Sequence, residues 1–301
     1  MVVFALKRAT QSTRSKINMK TATHSSSTLN PRLTSRTAQA VLALAVWGLT
    51  SLTVSRAAIY TEDFNHATSG ANQAVSTEGW SAYMGAGATN VSTVGDPNSG
   101  DAIAISGSSS YPPYVGSPAT YGALYAANRN TVSLVSAAVT TFTSATALNL
   151  TAGNTISWNM GNSTTTPSVR LMIQLGGDGS VGSGSWYASS LSFSNSSNFG
   201  LFSDFANATS GVSYSLNFST LAADWRSVTL TPGAELSLGS TLGSNLSSTT
   251  ITGIGFYMVN GSTLNSNIRL DNLTVVPEPT SVALAVGALG MLAFVVRRRQ
   301  S

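Results

Sequence analysis

The sequence predicts an all-β fold, a two-sheet sandwich of jelly-roll type, set between an N-terminal signal peptide and a single C-terminal transmembrane helix. Two observations predict the sandwich. Between residues 58 and 276, short segments alternate apolar and polar residues, the period of a strand with one buried and one wet face. Gly, Asn, Ser and Pro clusters punctuate those segments as turns do. A third observation predicts the flanks: each end carries an uncharged apolar run beside basic residues.

The strand segments follow in chain order. In TISWNM, Ile156, Trp158 and Met160 share one face, and Trp158 is a core candidate. In VRLMIQLGG, Val169, Leu171, Ile173 and Leu175 alternate with Arg170, Met172 and Gln174. VSYSLNFS places Val212, Tyr214, Leu216 and Phe218 on one side, and RSVTLTPG alternates Arg226, Val228 and Leu230 with Ser227 and Thr229. ITGIGFYMV and NIRLDNLTV complete the series. GDPNSGD, GNSTTTPS, GGDGSVGSGS and VNGS read as the connecting turns, with GGDGSVGSGS a flexible hairpin tip. About a dozen strands without a fixed repeat argue for a sandwich rather than a solenoid.

The front flank has a leader's layout. Ala40 to Val54 is 15 residues without charge, preceded by Lys and Arg and followed by Ser55-Arg56-Ala57. Small residues at 55 and 57 suit signal peptidase cleavage before Ala58, making residues 1–57 a signal peptide with a long leader. Met19 is an alternative start that gives a conventional length. At the back, residues 281–296 form a 16-residue apolar run, about 24 Å as a helix, against a hydrocarbon core of about 30 Å. Arg297, Arg298 and Arg299 extend it by snorkelling and orient it, since positive flanks stay cytoplasmic and leave the large domain outside.

Charge separates these parts. Residues 58–276 hold four arginines against ten acids, a formal −6, whereas the whole chain is +4. The basic residues that raise the whole-chain pI sit in the flanks, so the middle has no basic patch for phosphates and no nucleic-acid partner is expected. The absence of cysteine excludes disulfides, thiolate nucleophiles and Cys-ligated metals.

Val276-Pro277-Glu278-Pro279-Thr280, followed by an apolar run with Gly287 and Gly290 and closed by three arginines, resembles the PEP-CTERM sorting signal, also catalogued as the ice-binding protein C-terminal domain. The resemblance spans about 25 residues. It implies an exosortase-type enzyme that cuts near Pro277, Glu278 and Pro279, transient anchoring in the inner membrane, then transfer to the cell surface or release. Such proteins are typical of bacteria that make extracellular polysaccharide. Chain physics agrees, because two prolines keep the segment extended and out of a helix, as a peptidase substrate must be. An unprocessed tail anchor is the alternative.

The middle also resembles the jelly rolls of lectins and carbohydrate-binding modules. It opens on Tyr60-Thr61-Glu62-Asp63-Phe64-Asn65, has Gly79-Trp80 downstream, and closes on Ile268-Arg269-Leu270-Asp271-Asn272-Leu273-Thr274-Val275. The likeness implies that the first and last strands meet. Glu62, Asp63 and Asp271 would then be candidates for a structural calcium, which takes six to eight oxygens. The alternative is that Asp271 and Asn272 serve a local bulge. Sugar binding calls for exposed rings on which a pyranose can stack. The candidates are Trp80, Trp186, Tyr187 and Trp225, with Tyr83, Tyr111 and Tyr114 behind them.

Catalytic signals are absent from the sequence. His24 lies in the leader and His66 stands alone, without GxSxG or HExxH. The acids are scattered rather than paired as in a glycosidase. The expectation is therefore a non-enzymatic envelope or matrix protein with an extracellular polysaccharide as partner. A purely structural matrix role and a secreted polysaccharide-degrading enzyme are the alternatives.

Overall fold

The computed structural model describes residues 59–64, 72–93, 99–106, 122–162, 166–194 and 213–277. The strands within them are β1 (Tyr60–Glu62), β2 (Asn72–Gln73), β3 (Ser81–Met84), β4 (Thr89–Asn90), β5 (Ala102–Ser106), β6 (Leu124–Ala127), β7 (Val135–Thr141) and β8 (Leu148–Asn149). They continue as β9 (Thr155–Asn162), β10 (Ser168–Leu175), β11 (Ser185–Ser189), β12 (Ser213–Asn217), β13 (Trp225–Thr231), β14 (Glu235–Thr241), β15 (Thr250–Val259) and β16 (Ile268–Val276). Helical structure among the described residues is limited to two 3-10 turns, Val75–Glu78 and Ala222–Asp224.

Two sheets result. A seven-stranded sheet runs β12-β9-β16-β6-β5-β2, with β1 also on β16. A nine-stranded sheet runs β14-β13-β11-β10-β15-β7-β3-β4, with β8 also on β15. The all-β sandwich is as the alternation predicts. Between the sheets lies one apolar core, to which β9 gives Ile156, Trp158 and Met160 and β10 gives Val169, Leu171 and Ile173, all 1 % exposed or less. Each such side chain contributes about 1.5–3 kcal/mol by leaving water. The expected first-to-last pairing is present: Tyr60, Thr61 and Glu62 face Val275, Thr274 and Leu273.

One expectation needs correction. The central strands β10 and β15 of the nine-stranded sheet are covered on their second face too, whereas β13 keeps Ser227, Thr229 and Thr231 exposed as the alternation predicts. Met172 and Gln174 are buried as completely as Leu171 and Ile173. Met172 belongs to a second apolar cluster with Tyr83, Ala88, Ala137, Val139, Trp186, Ala188, Val228, Leu230, Leu236 and Tyr257. The cause is curl. The β13–β14 turn reaches the β3–β4 turn from the opposite edge, with Gly233 N–H donating to Ala88 O at 3.0 Å and Leu236 N–H to Ala86 O at 3.0 Å. A sheet whose two edges are bonded together is concave on the enclosed side, so its outer face becomes a lined trough.

Small residues let the trough close. A Cβ on Gly253 would lie 2.8 Å from Trp186 Cη2, so that glycine is the floor on which the indole rests. The β10–β11 loop then caps the ring, because Trp186 Nε1–H donates to Val181 O at 2.9 Å. This loop is held rather than loose. Gln174 Nε2 donates to Ser180 O at 3.0 Å, and Asp178 accepts from both the N–H and the hydroxyl of Ser180.

β16 ends at Val276 and Pro277 follows outside the strand. Glu278, Pro279, the 281–296 run, Arg297, Arg298, Arg299 and the whole leader lie outside the described residues, as do His66, Tyr111 and Tyr114. Among the described residues no helix is long and apolar enough to cross a membrane.

Candidate functional site

At the corner where β1 meets β16, Glu62, Asp63 and Asp271 come into electrostatic range of one another. Asp271 is 4 % exposed. Burial pushes its carboxyl well above the usual range; the N–H of Asn272 pulls the other way, and the charges of Asp63 and Glu62 push further up. Burial likewise raises Glu62, against the two N–H groups that bond it.

Those bonds decide what the corner can hold. Glu62 Oε2 accepts from Trp80 Nε1 at 2.9 Å, and Oε1 accepts from Phe64 N at 2.9 Å. Asp271 Oδ1 accepts from Asn272 N at 2.7 Å, and Oδ2 from Asn272 Nδ2 at 3.3 Å. A calcium shell needs carboxylate oxygens directed at one point. Among the described residues no group of three or more His, Cys, Asp or Glu side chains is placed to hold a metal ion. The calcium expectation for Glu62, Asp63 and Asp271 is corrected accordingly: the strands converge, but the three do not form a metal-holding group, and the oxygens of Glu62 and Asp271 accept from N–H donors. Asp271 and Asn272 instead make a bulge. The β16–β9 register shifts between Asp271 and Thr274, and Asn272 takes a left-handed φ of 52°, which asparagine tolerates.

The tryptophans are corrected as well. Trp80, Trp186 and Trp225 are 1 %, 4 % and 0 % exposed, so none has a face for a sugar. Trp80 lies in the inter-sheet core, 5.0 Å from the Phe64 ring and stacked at 6.4 Å on Phe256. Trp225 packs near Phe218 and donates its indole N–H to Ser219 O at 2.7 Å. Tyr83 is also buried, on the trough side. Trp158 is in the core as predicted.

Tyr187 differs. It is half-buried, packs against the inter-sheet core and borders a cleft of about 430 Å³. Ser185 from its own strand, Ser247 and Ser248 from the β14–β15 connection, and Thr250 and Thr252 from β15 share that lining with the backbone of Gly176 and Gly184. The Thr252 hydroxyl is buried and bonded to Gln174 and Gly177, and that of Thr250 donates to Asn149, so the ring of Tyr187 with the hydroxyls of Ser185 and Ser247 is what the cleft offers a ligand. Among the described residues the lining includes no carboxylate.

A second group of side chains, not singled out by the sequence, lies in the trough. Tyr83, Ala137, Tyr257 and Arg170 stand directly opposite one another across β3, β7, β15 and β10. Arg226 joins them from β13, opposite Ala188 of β11, which on its other side pairs with Met172. In the sequence Arg170 falls on the polar side of its alternating segment, whereas Arg226 is in phase with the apolar Val228 and Leu230, so no shared signal marked the two.

No family model matches the chain, and no curated protein matches it. Solved structures of related shape include the family 11 carbohydrate-binding module from Clostridium thermocellum in complex with a β-1,3-1,4-mixed-linked tetrasaccharide. It is 15 % identical over 66 % of this chain and 89 % of that one, with a TM-score of 0.35. A protein of unknown function with a galectin-like fold from Bacillus subtilis is 11 % identical over 74 % and 96 %, with a TM-score of 0.34. An exo-β-agarase is 12 % identical over 59 % of this chain and 22 % of its own, with a TM-score of 0.32. Likeness at this level carries no ligand or activity over to this chain.

Proposed function

We propose that this chain is an exported β-sandwich protein that binds carbohydrate at the Tyr187 cleft without turning it over. The single observation that carries this reading is the cleft itself, a half-buried tyrosine ring beside serine and threonine residues, with no carboxylate in the lining among the described residues. The leader and the VPEPT-apolar-Arg tail add the address, an exosortase-sorted passage through the inner membrane to the cell surface. There the ligand at hand is extracellular polysaccharide.

The test is affinity electrophoresis and calorimetry of the full chain against a panel of neutral polysaccharides. Binding that Tyr187→Ala weakens about tenfold or more, the loss of one contact worth about 1.4 kcal/mol, supports the reading. No binding at all, or binding indifferent to Tyr187→Ala in a variant that melts like the parent, overturns it in favour of a purely structural matrix role. Reducing ends released from a bound polysaccharide would instead favour an enzyme.

A further inference from the structure

Residues 58–276 contain only four arginines and no lysine, and two of the four, Arg170 and Arg226, stand half-buried on the concave face of the nine-stranded sheet. Each guanidinium is anchored by backbone rather than by acid. Arg170 Nη1 donates to Ser189 O at 2.8 Å and also to Ser190 O, while Arg226 Nε donates to Gly239 O at 2.8 Å. Among the described residues neither forms an ion pair with a carboxylate. Burial lowers the Arg170 guanidinium, the like charge of Arg226 lowers it further, and only Tyr257 acts in the opposite sense. Two like charges are thus held within electrostatic range of each other, in a domain where acids outnumber bases. Keeping them half-desolvated and uncompensated costs stability that a bound anion would return.

The anchoring also leaves the donors arranged for a ligand. With Nη1 committed, Arg170 keeps Nε–H and Nη2–H as a side-on fork. With Nε committed, Arg226 keeps Nη1–H and Nη2–H as an end-on fork. Either fork matches the two oxygens of a carboxylate or sulfate. Tyr257, directly opposite Arg170, sits within range of both guanidinium charges. Ala137 and Tyr257 are themselves buried, so the half-buried guanidinium groups of Arg170 and Arg226, and not the floor of the trough, are the part a ligand would meet.

We infer that the trough is a second binding site, distinct from the Tyr187 cleft, at which Arg170 and Arg226 fork the oxyanion of an acidic polysaccharide, either a uronate carboxylate or a sulfate ester. An acidic polysaccharide is favoured over nucleic acid because two guanidinium forks suit isolated oxyanions, whereas a phosphate backbone binds through an extended basic patch that residues 58–276 lack.

The experiment measures binding of the full chain to alginate (carboxylate only), dextran sulfate (sulfate only), neutral dextran and duplex DNA. Alginate, dextran sulfate or both should bind, severalfold more weakly at about 0.5 M than at about 0.05 M NaCl. Which of the two binds identifies the source of the oxyanion. Arg226→Gln and Arg170→Gln should each weaken that binding about tenfold or more. Should either glutamine variant fail to fold, Arg170→Lys and Arg226→Lys keep the charge but lose the fork, and should still weaken it several-fold. Polyanion binding unchanged in all four variants would locate it in the basic flanks and overturn the inference, as would binding of neither polyanion or equal binding of DNA. Neutral dextran and Tyr187→Ala report on the cleft alone, so each site stands or falls by its own arm.

Discussion

Glu62 is the tie between the first strand and the core, and removing it tests how the corner is built. Its carboxylate accepts the indole N–H of Trp80 and the backbone N–H of Phe64. Trp80 is 1 % exposed, and Phe64 sits at a left-handed φ of 48° with its ring buried against that indole. Glu62→Ala leaves the Trp80 N–H in the core with no acceptor and frees the turn that holds Phe64 in an unfavourable backbone region. A hydrogen bond to a charged acceptor is worth about 1.5–3 kcal/mol. At about 2–4 °C per kcal/mol for a domain of this size, Tm should fall by about 3–12 °C. Trp80→Phe removes the donor, so the Glu62→Ala cost should shrink in that background, with a coupling of about 1–3 kcal/mol. The pH dependence has a definite sign. Burial raises the folded Glu62 above its unfolded value, so its contribution is full below the unfolded carboxylate range and declines as pH rises through the folded value. Glu62→Ala should therefore cost more at acid than at neutral pH. Thermal and urea unfolding followed by tryptophan fluorescence reads all of this. Equal costs of Glu62→Ala in the parent and Trp80→Phe backgrounds would refute the tie.

Asp271→Asn should raise Tm at neutral pH and lose that advantage in acid, because the buried carboxyl is raised and its ionised form is the disfavoured one. A fall in Tm at neutral pH, or a gain from calcium that only the unsubstituted chain shows, would count against the carboxylate arrangement described above. Gly255→Ala should cost about 1–3 kcal/mol in urea unfolding, since its Cβ would meet Val139 Cα at 2.7 Å and the backbone of Ala138 on β7; an unchanged midpoint would contradict that packing. Mass spectrometry of the mature protein should find an N-terminus near Ala58 and a C-terminus near Pro277, whereas a retained Arg297-Arg298-Arg299 tail would rule out processing.

What the sequence determines by itself follows from local periodicity and composition. Ile156, Trp158 and Met160 on one side of β9, and Val169, Leu171 and Ile173 on one side of β10, could be assigned to the core because pleating sends alternate side chains to one face. The expectation for the flanks rests on composition alone, on charge and apolar runs that lie outside the described residues. Alternation cannot say whether the other face is covered. Trp186 and Val228 lie on outward faces yet are buried, because the nine-stranded sheet curls until Gly233 and Leu236 bond the β3–β4 turn. That closure depends on contacts between residues about 150 apart in the chain, which no local pattern records. The same curl brings Arg170 and Arg226 onto one concave face from separate strands and buries Trp186, whereas Trp80 and Trp225 are taken up by the core between the sheets and Tyr187 stays half-buried. Along β9 and β10 the inward side chains were written in the sequence, but the burial of Trp80 and Trp225 between the sheets, and which outward side chains meet water, were decided by long-range packing and the bonds that bend the sheet.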